Sequence, residues 1–192
     1  GRLVLIEPEG EALVIGDLHG DLTSLETIIK DSNLITKISK SDKMLVIFLG
    51  DYGDRGESQV ELYYAVFRLK AAFPKQIVLL RGNHEGPLDL IAYPHDLSEQ
   101  LRRKFKATSV PAYTCIVNLF NYLNNAVYVK DRYLMVHGGL PFSISSLPQI
   151  AQANNLHPAK PFLTELLWSD PNDTVQGMIP SPRGVGHFFG KD

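Results

Sequence analysis

Short apolar runs recur along the chain, and four of them end in the same kind of polar turn. Residues 12–15, 44–48, 76–80 and 133–136 read as strands. Met44-Leu45-Val46-Ile47-Phe48 is unbroken, the pattern of a strand covered on both faces of a parallel sheet. Between the strands, apolar residues fall at helical spacing. Leu22, Leu25, Ile28 and Ile29 follow Asp21, which stands where an N-cap belongs. A second helix is expected over residues 58–73, ended by Pro74. Further helices are expected over 96–105, 113–123 and 147–153, and one ends in Leu166-Leu167-Trp168. Residues 126–129 and 133–136, joined by Lys130-Asp131-Arg132, read as a hairpin. Strand–helix alternation in the first half predicts parallel strands with right-handed crossovers. No cap or final strand is legible at the end of the chain.

The polar turns are what distinguish this pattern. Residues 12–15 lead into Gly16-Asp17-Leu18-His19-Gly20, and 44–48 into Leu49-Gly50-Asp51-Tyr52-Gly53-Asp54-Arg55-Gly56. Residues 76–80 lead into Arg81-Gly82-Asn83-His84-Glu85, and 133–136 into His137-Gly138-Gly139-Leu140-Pro141. Ligands in open α/β sheets sit beyond the carboxyl ends of strands, and glycine there allows tight turns and close approach. Charge at the end of a buried strand is costly unless something pairs with it.

The donor set is Asp17, His19, Asp51, Asn83 and His137. Aspartate, imidazole and an amide oxygen suit manganese, iron, zinc or magnesium rather than copper or an iron–sulfur cluster. Donors arriving from four strand ends favour a site for two divalent metal ions over a closed structural site, with Asp51 able to bridge. Mn2+ is the expected ion, with iron or zinc as alternatives. Such a site suits phosphate ester hydrolysis: a metal-bridged hydroxide attacks phosphorus, and the ions neutralise charge growing in the transition state. The guanidinium fork matches phosphate oxygens, so Arg55 and Arg183 are the expected clamps. His84 is the expected general acid, kept protonated and oriented by Asp54.

Plainer roles compete for other residues. His95 and His157 read as solvent-facing or capping residues, His187 as a packing residue, and Asp170 before Pro171 as a turn residue.

Composition narrows the class. A chain of 192 residues, 44% apolar and 21% charged, fits one soluble domain spanning 1–192. A net charge of −2 gives no case for nucleic acid or membrane binding. Arg102, Arg103, Lys104 and Lys106 read as the wet face of a helix. The single cysteine, Cys115, lies in an apolar run, where a buried, inert thiol is expected. One cysteine suits a reducing compartment, so a cytoplasmic location is expected. No stretch is apolar enough to span a bilayer, and the first residues lack the form of a signal peptide.

The four motifs, in order, resemble the signature of the phosphoprotein phosphatase (PPP) family of serine/threonine phosphatases, within the calcineurin-like metallophosphoesterases. Leu166-Leu167-Trp168-Ser169-Asp170-Pro171, and Arg183-Gly184-Val185 with Phe189-Gly190, resemble two further segments of that family. The resemblance implies an α/β fold, a β-sandwich flanked by helices, with a binuclear metal centre. It implies that Asp17 and His19 hold the first ion, that Asp51 bridges, and that Asn83 and His137 bind the second. Arg55 and Arg183 would bind phosphate, His84 paired with Asp54 would donate the proton, and Tyr93 would line the cleft. Asp170 falls on an acidic position of the family close to the site. It further implies a phosphorylated protein substrate and possible regulatory subunits.

Two departures stand out. Gly53 replaces a usually bulkier residue. The family carries one more metal-ligand histidine on later strands, a position that no residue here takes, and its N-terminal helical segment is short or absent. The expectation is a phosphatase domain truncated at its C-terminus. Two other readings compete: a small-molecule phosphoesterase such as a dinucleoside tetraphosphate hydrolase, and a phosphoprotein-binding module with a crippled site.

Overall fold

Alternation within single strands sets the layers of this protein. In β3 (Met44–Phe48), Met44, Val46 and Phe48 point into one apolar cluster and Ile47 into another. A strand does this when both faces of its sheet are covered. The computed structural model describes residues 1–90 and 92–191.

Two three-stranded sheets form the centre. One is wholly parallel, in the order β2 (Glu11–Ile15), β3, β4 (Ile77–Leu79). The other pairs β1 (Leu3–Ile6) parallel to β5 (Ala126–Val129), and β5 antiparallel to β6 (Tyr133–Met135). A bridge between Leu80 and Asn124 ties the two. Ile47, Val78, Leu80 and Val127 pack between the sheets with Val4, Ile6, Leu49, Val129 and Met135. The outer face of the first sheet carries the larger core, which buries Leu25, Leu34, Leu62, Val66, Leu97 and Leu101. These come from α1 (Leu22–Asp31), α2 (Leu34–Lys40), α3 (Gln59–Ala72) and α4 (Leu97–Phe105), joined by α5 (Ser109–Phe120). The outer face of the second sheet is covered by α6 (Leu147–Ala151), α7 (Ala153–Leu156) and α8 (Phe162–Trp168). The result is the expected β-sandwich flanked by helices. Fully burying one such leucine is worth ~1.5–3 kcal/mol, so the pattern itself specifies the layering.

Most expected elements form, with bounds displaced by a few residues. Asp21 caps α1 as anticipated, its carboxylate accepting from the Ser24 N–H at 2.9 Å. Helix α5 starts four residues before the expected 113, because Pro111 falls in its first turn, where a missing N–H costs nothing. Strand β1 and helix α2 go unread in the sequence pattern. Two expectations are overturned. The chain does form late strands: β7 (Asp170–Pro171), β8 (Met178–Pro180) and β9 (His187–Phe189) make a small mixed sheet in the order β7-β9-β8. Their two- and three-residue lengths are too short to show periodicity. Cys115 is exposed rather than buried, because it falls on the outer side of α5. Among the described residues, no helix is long and apolar enough to cross a membrane.

Candidate metal centre

The carboxyl ends of β2, β3, β4 and β6 converge, and the polar turns meet there. Glycine makes the approach possible. A Cβ on Gly82 would lie 2.1 Å from an Asp51 carboxylate oxygen, and one on Gly50 would lie 2.4 Å from the Gly82 nitrogen. Several neighbours take the left-handed backbone region without being glycine: His19 (φ 44), Asp51 (φ 53), Asp54 (φ 61) and Arg55 (φ 66). Such strain costs ~1–3 kcal/mol per residue and persists only where the surroundings over-determine it.

Glu85 is what holds the Asp51 turn. It is fully buried and accepts from the backbone N–H groups of Asp51 (2.8 Å), Tyr52 (3.0 Å) and Gly82 (3.2 Å), and from the Tyr63 hydroxyl (2.7 Å). Burial, together with the nearby Asp51 charge, pushes its carboxyl up. In sequence Glu85 is only the last letter of a motif. Its bracing role comes chiefly from Asp51, Tyr52 and Tyr63, all more than twenty residues away in the chain.

Donor atoms of Asp17, Asp51 and His137 all lie within 4.8 Å of one another, and so do those of His19, Asp51 and His84. Asp51 belongs to both groups. His19 Nε2 is 3.4 Å from Asp51 Oδ2 and 3.9 Å from Asp17 Oδ2. His137 Nε2 is 3.5 Å from Asp51 Oδ1 and 3.3 Å from Asn83 Oδ1. Asp17 also reaches within 3.9 Å of His137 Nδ1, so it stands between the two imidazoles rather than beside His19 alone.

Hydrogen bonding decides which nitrogens face inward. His19 Nδ1 is 2.9 Å from the Gly53 carbonyl, and His137 Nδ1 is 3.1 Å from the Leu49 carbonyl. A carbonyl only accepts, so each Nδ1 carries the proton and each neutral ring turns a bare Nε2 toward carboxylate and amide oxygens. His19 Nε2 is buried without a hydrogen-bond partner. In that tautomer electron-pair donors face one another across 3–4 Å, which is a cradle for cations, and the orienting carbonyls are the usual outer support for metal-binding imidazoles.

Beside this cradle, His84 Nδ1 is 2.7 Å from Asp54 Oδ2, and both side chains are almost wholly buried. Its backbone N–H donates to Asp51 Oδ1 at 3.0 Å. Burial pushes Asp54 up, but the hydrogen bonds from His84 and His95 outweigh it and hold the carboxyl well below the usual range. Burial lowers His84, yet the hydrogen bond to Asp54 and the negative charge of Asp51, Asp54 and Glu85 raise it overall. Arg55 Nη2 lies 3.4 Å from His84 Nε2.

Residues 11–192 match the calcineurin-like phosphoesterase family.

The chain belongs to the calcineurin-like phosphoesterase family.

It is 32% identical over 190 residues to serine/threonine-protein phosphatase PP1-delta of Caenorhabditis elegans, an alignment covering 98% of this chain and 59% of that protein. Among solved structures it resembles a protein serine/threonine phosphatase from Saccharomyces cerevisiae with similarity to human phosphatase PP5. That match has a TM-score of 0.78 at 27% identity, over 98% of this chain and 58% of the other. A cold-active protein-tyrosine phosphatase of a Shewanella species shares the fold, with a TM-score of 0.55 at 20% identity over 88% of this chain and 52% of that one. The chain thus spans somewhat over half the length of these relatives. The matches bear out the resemblance to the phosphoprotein phosphatases, and family and Asp/His clusters together indicate divalent metal ions.

Some expected members of the phosphoesterase site stand apart. Arg183 pairs with Asp170, donates to the Trp168 carbonyl at 3.0 Å and lies over the Trp168 ring. None of these contacts reaches the cradle. Asp170 is accordingly a strand residue with an ion-pair partner, not a turn residue. Tyr93 is 94% exposed. His187 packs 3.6 Å from Glu165.

Two histidines read as solvent-facing or capping have side-chain partners, and His157 also caps the end of α7 through its backbone N–H. His157 Nε2 meets Asp89 at 2.9 Å. His95 Nδ1 lies 3.0 Å from Asp54 Oδ2, inside the site. The signal missed for His95 was weak: one histidine before a helix, with its partner forty-one residues away.

Proposed function

We propose that this chain is the catalytic core of a metal-dependent protein serine/threonine phosphatase. The observation that carries the reading is the placing of two imidazole Nε2 atoms, on His19 and His137, against Asp17, Asp51 and Asn83, with a backbone carbonyl on each Nδ1. Asp17, His19 and Asp51 would hold one divalent ion and Asp51, Asn83 and His137 the other. When bound, such a pair polarises phosphoryl oxygens and makes water a competent nucleophile near neutral pH.

The chain's own residues supply the rest. His84 donates a proton from Nε2 to the departing serine or threonine oxygen. Asp54 keeps that ring protonated and aimed from the other side, at 2.7 Å. Arg55 is exposed, and no carboxylate among the described residues pairs with it, so its guanidinium is free to bind phosphate oxygens beside His84. Arg183 joins the clamp by exchanging Asp170 for phosphate. The 32% identity to PP1-delta supports a phosphoprotein as substrate and regulatory subunits as partners.

The test uses the chain loaded with Mn2+, Fe2+ or Zn2+ in turn. Phosphate release is followed from phosphoserine, phosphothreonine and phosphotyrosine peptides and from a dinucleoside tetraphosphate. Turnover of the first two peptides, abolished by chelation, is expected. Preference for the dinucleotide overturns the assignment of a protein substrate. Tight phosphopeptide binding without release of phosphate by any metal form overturns the enzyme.

A further inference from the structure

We propose that His95 is a positioning residue of this centre: a second imidazole that shares Asp54 with His84 and limits how tightly Asp54 holds the proton-donating ring. The proposal rests on the reading of His84 as proton donor.

Asp54 is unusually well held. Oδ2 faces two imidazole nitrogens, His84 Nδ1 at 2.7 Å and His95 Nδ1 at 3.0 Å. Oδ1 accepts from the Asp96 N–H at 3.0 Å, and the Asp54 N–H donates to Gln59 Oε1 at 2.9 Å. Gln59 Nε2 in turn donates to Asp96 Oδ1 at 2.8 Å, closing a ring of bonds behind the carboxylate. Asp54 therefore cannot turn away from either imidazole.

The far side of His95 is held as well. Its Nε2 lies 3.0 Å from the Tyr113 hydroxyl. A carboxylate oxygen only accepts, so His95 Nδ1 carries a proton and donates it to Asp54, while the Tyr113 hydroxyl, which can give or take a proton, anchors Nε2. Two imidazoles thus donate to the same oxygen of Asp54, and the outer one is fixed from behind by Tyr113. A carboxylate shared between two donors is a weaker base toward each. With Oδ2 engaged by both rings, the length and line of the Asp54–His84 bond, and so the aim of the His84 ring, depend on His95.

Side-chain amides dissect this geometry. The Asn amide nitrogen stands close to the imidazole Nδ1 position and can reach Asp54. The Gln amide nitrogen stands close to the Nε2 position and faces Tyr113 instead. The probe is the imidazole region of 15N-edited spectra of the metal-free chain. In His95→Phe the His84 Nδ1 proton is expected to move downfield, as Asp54 is left with a single imidazole. His95→Asn returns it toward the wild-type position and His95→Gln does not. An unmoved resonance in His95→Phe, or equal recovery by Asn and Gln, overturns the proposal. Should His95→Phe fail to fold, the Asn and Gln pair decides alone.

A second arm follows p-nitrophenyl phosphate with Mn2+. His95→Phe is expected to lower kcat about tenfold, the scale of one charge-assisted hydrogen bond, with KM unchanged and recovery in His95→Asn. Wild type without turnover sinks the phosphatase reading and leaves the spectra to decide on His95. Active wild type with unmoved spectra and unchanged kcat overturns the role of His95 alone.

Discussion

The Tyr63 hydroxyl occupies the space that a side chain at position 53 would need: a Cβ on Gly53 would lie 2.6 Å from it. The same hydroxyl donates to Glu85 at 2.7 Å, and the ring stacks on Phe67. The glycine that departs from the family's second motif is therefore matched by a large residue on α3. Gly53→Val should destabilise the chain by roughly 1–3 kcal/mol through overpacking. Paired with Tyr63→Leu it should cost less than the sum of the single changes, because both act on one space. Urea denaturation of the four proteins tests this, and strict additivity would show the two sites to be independent.

Glu85 braces the strained turn around Asp51. Glu85→Gln replaces one carboxylate oxygen by an amide nitrogen, whose N–H groups then face either the N–H groups of Asp51 and Gly82 at Oε2 or the Tyr52 N–H and Tyr63 hydroxyl at Oε1. A loss of ~1–3 kcal/mol is expected for the unsatisfied donors. Metal affinity should fall with it, because the turn that presents Asp51 loosens. Thermal melts and metal titration calorimetry on the same samples would show whether the two losses travel together.

Asp51 offers one oxygen to each imidazole group. In Asp51→Asn the shared anion becomes neutral, so both metal content and phosphate release should collapse. Metal analysis after gel filtration checks the first and a phosphopeptide assay the second. Undiminished stoichiometry in that variant would count against a shared role. Metal should also raise the melting temperature of the wild type in a concentration-dependent way, reaching ~2.7 kcal/mol of added stability at a hundredfold excess over Kd. Asp51→Asn should lose that response.

His84 bonds to Asp54 on one side and leaves Nε2 beside Arg55 on the other. His84→Asn should keep its metal while phosphate release slows ~100- to 10,000-fold, the usual worth of general acid–base catalysis. Steady-state rates with a phosphoserine peptide, alongside metal analysis, test it. Equal rates would remove His84 from the mechanism.

The residues of the cradle could be named from sequence because each motif is short, contiguous and set at the end of an apolar run. The parallel sheet has to bring the ends of β2, β3 and β4 to one edge, since its strands share a direction, and Asp17, His19, Asp51, Asn83 and His84 arrive there together. His137 follows β6 of the second sheet, so its arrival depends on how the two sheets pack. The layered fold was readable too, as burial follows the alternation in β3. What sequence could not supply lies across long separations in the chain. No local pattern sets His95 against Asp54, fits Tyr63 into the absent side chain of Gly53, or commits Arg183 to Asp170. Nor does it turn Nδ1 of His19 and His137 toward particular carbonyls, or choose the face of α5 on which Cys115 lies. Each depends on distance and direction after packing, because hydrogen bonds and van der Waals contacts act over a few ångströms while the chain partners stand tens of residues apart.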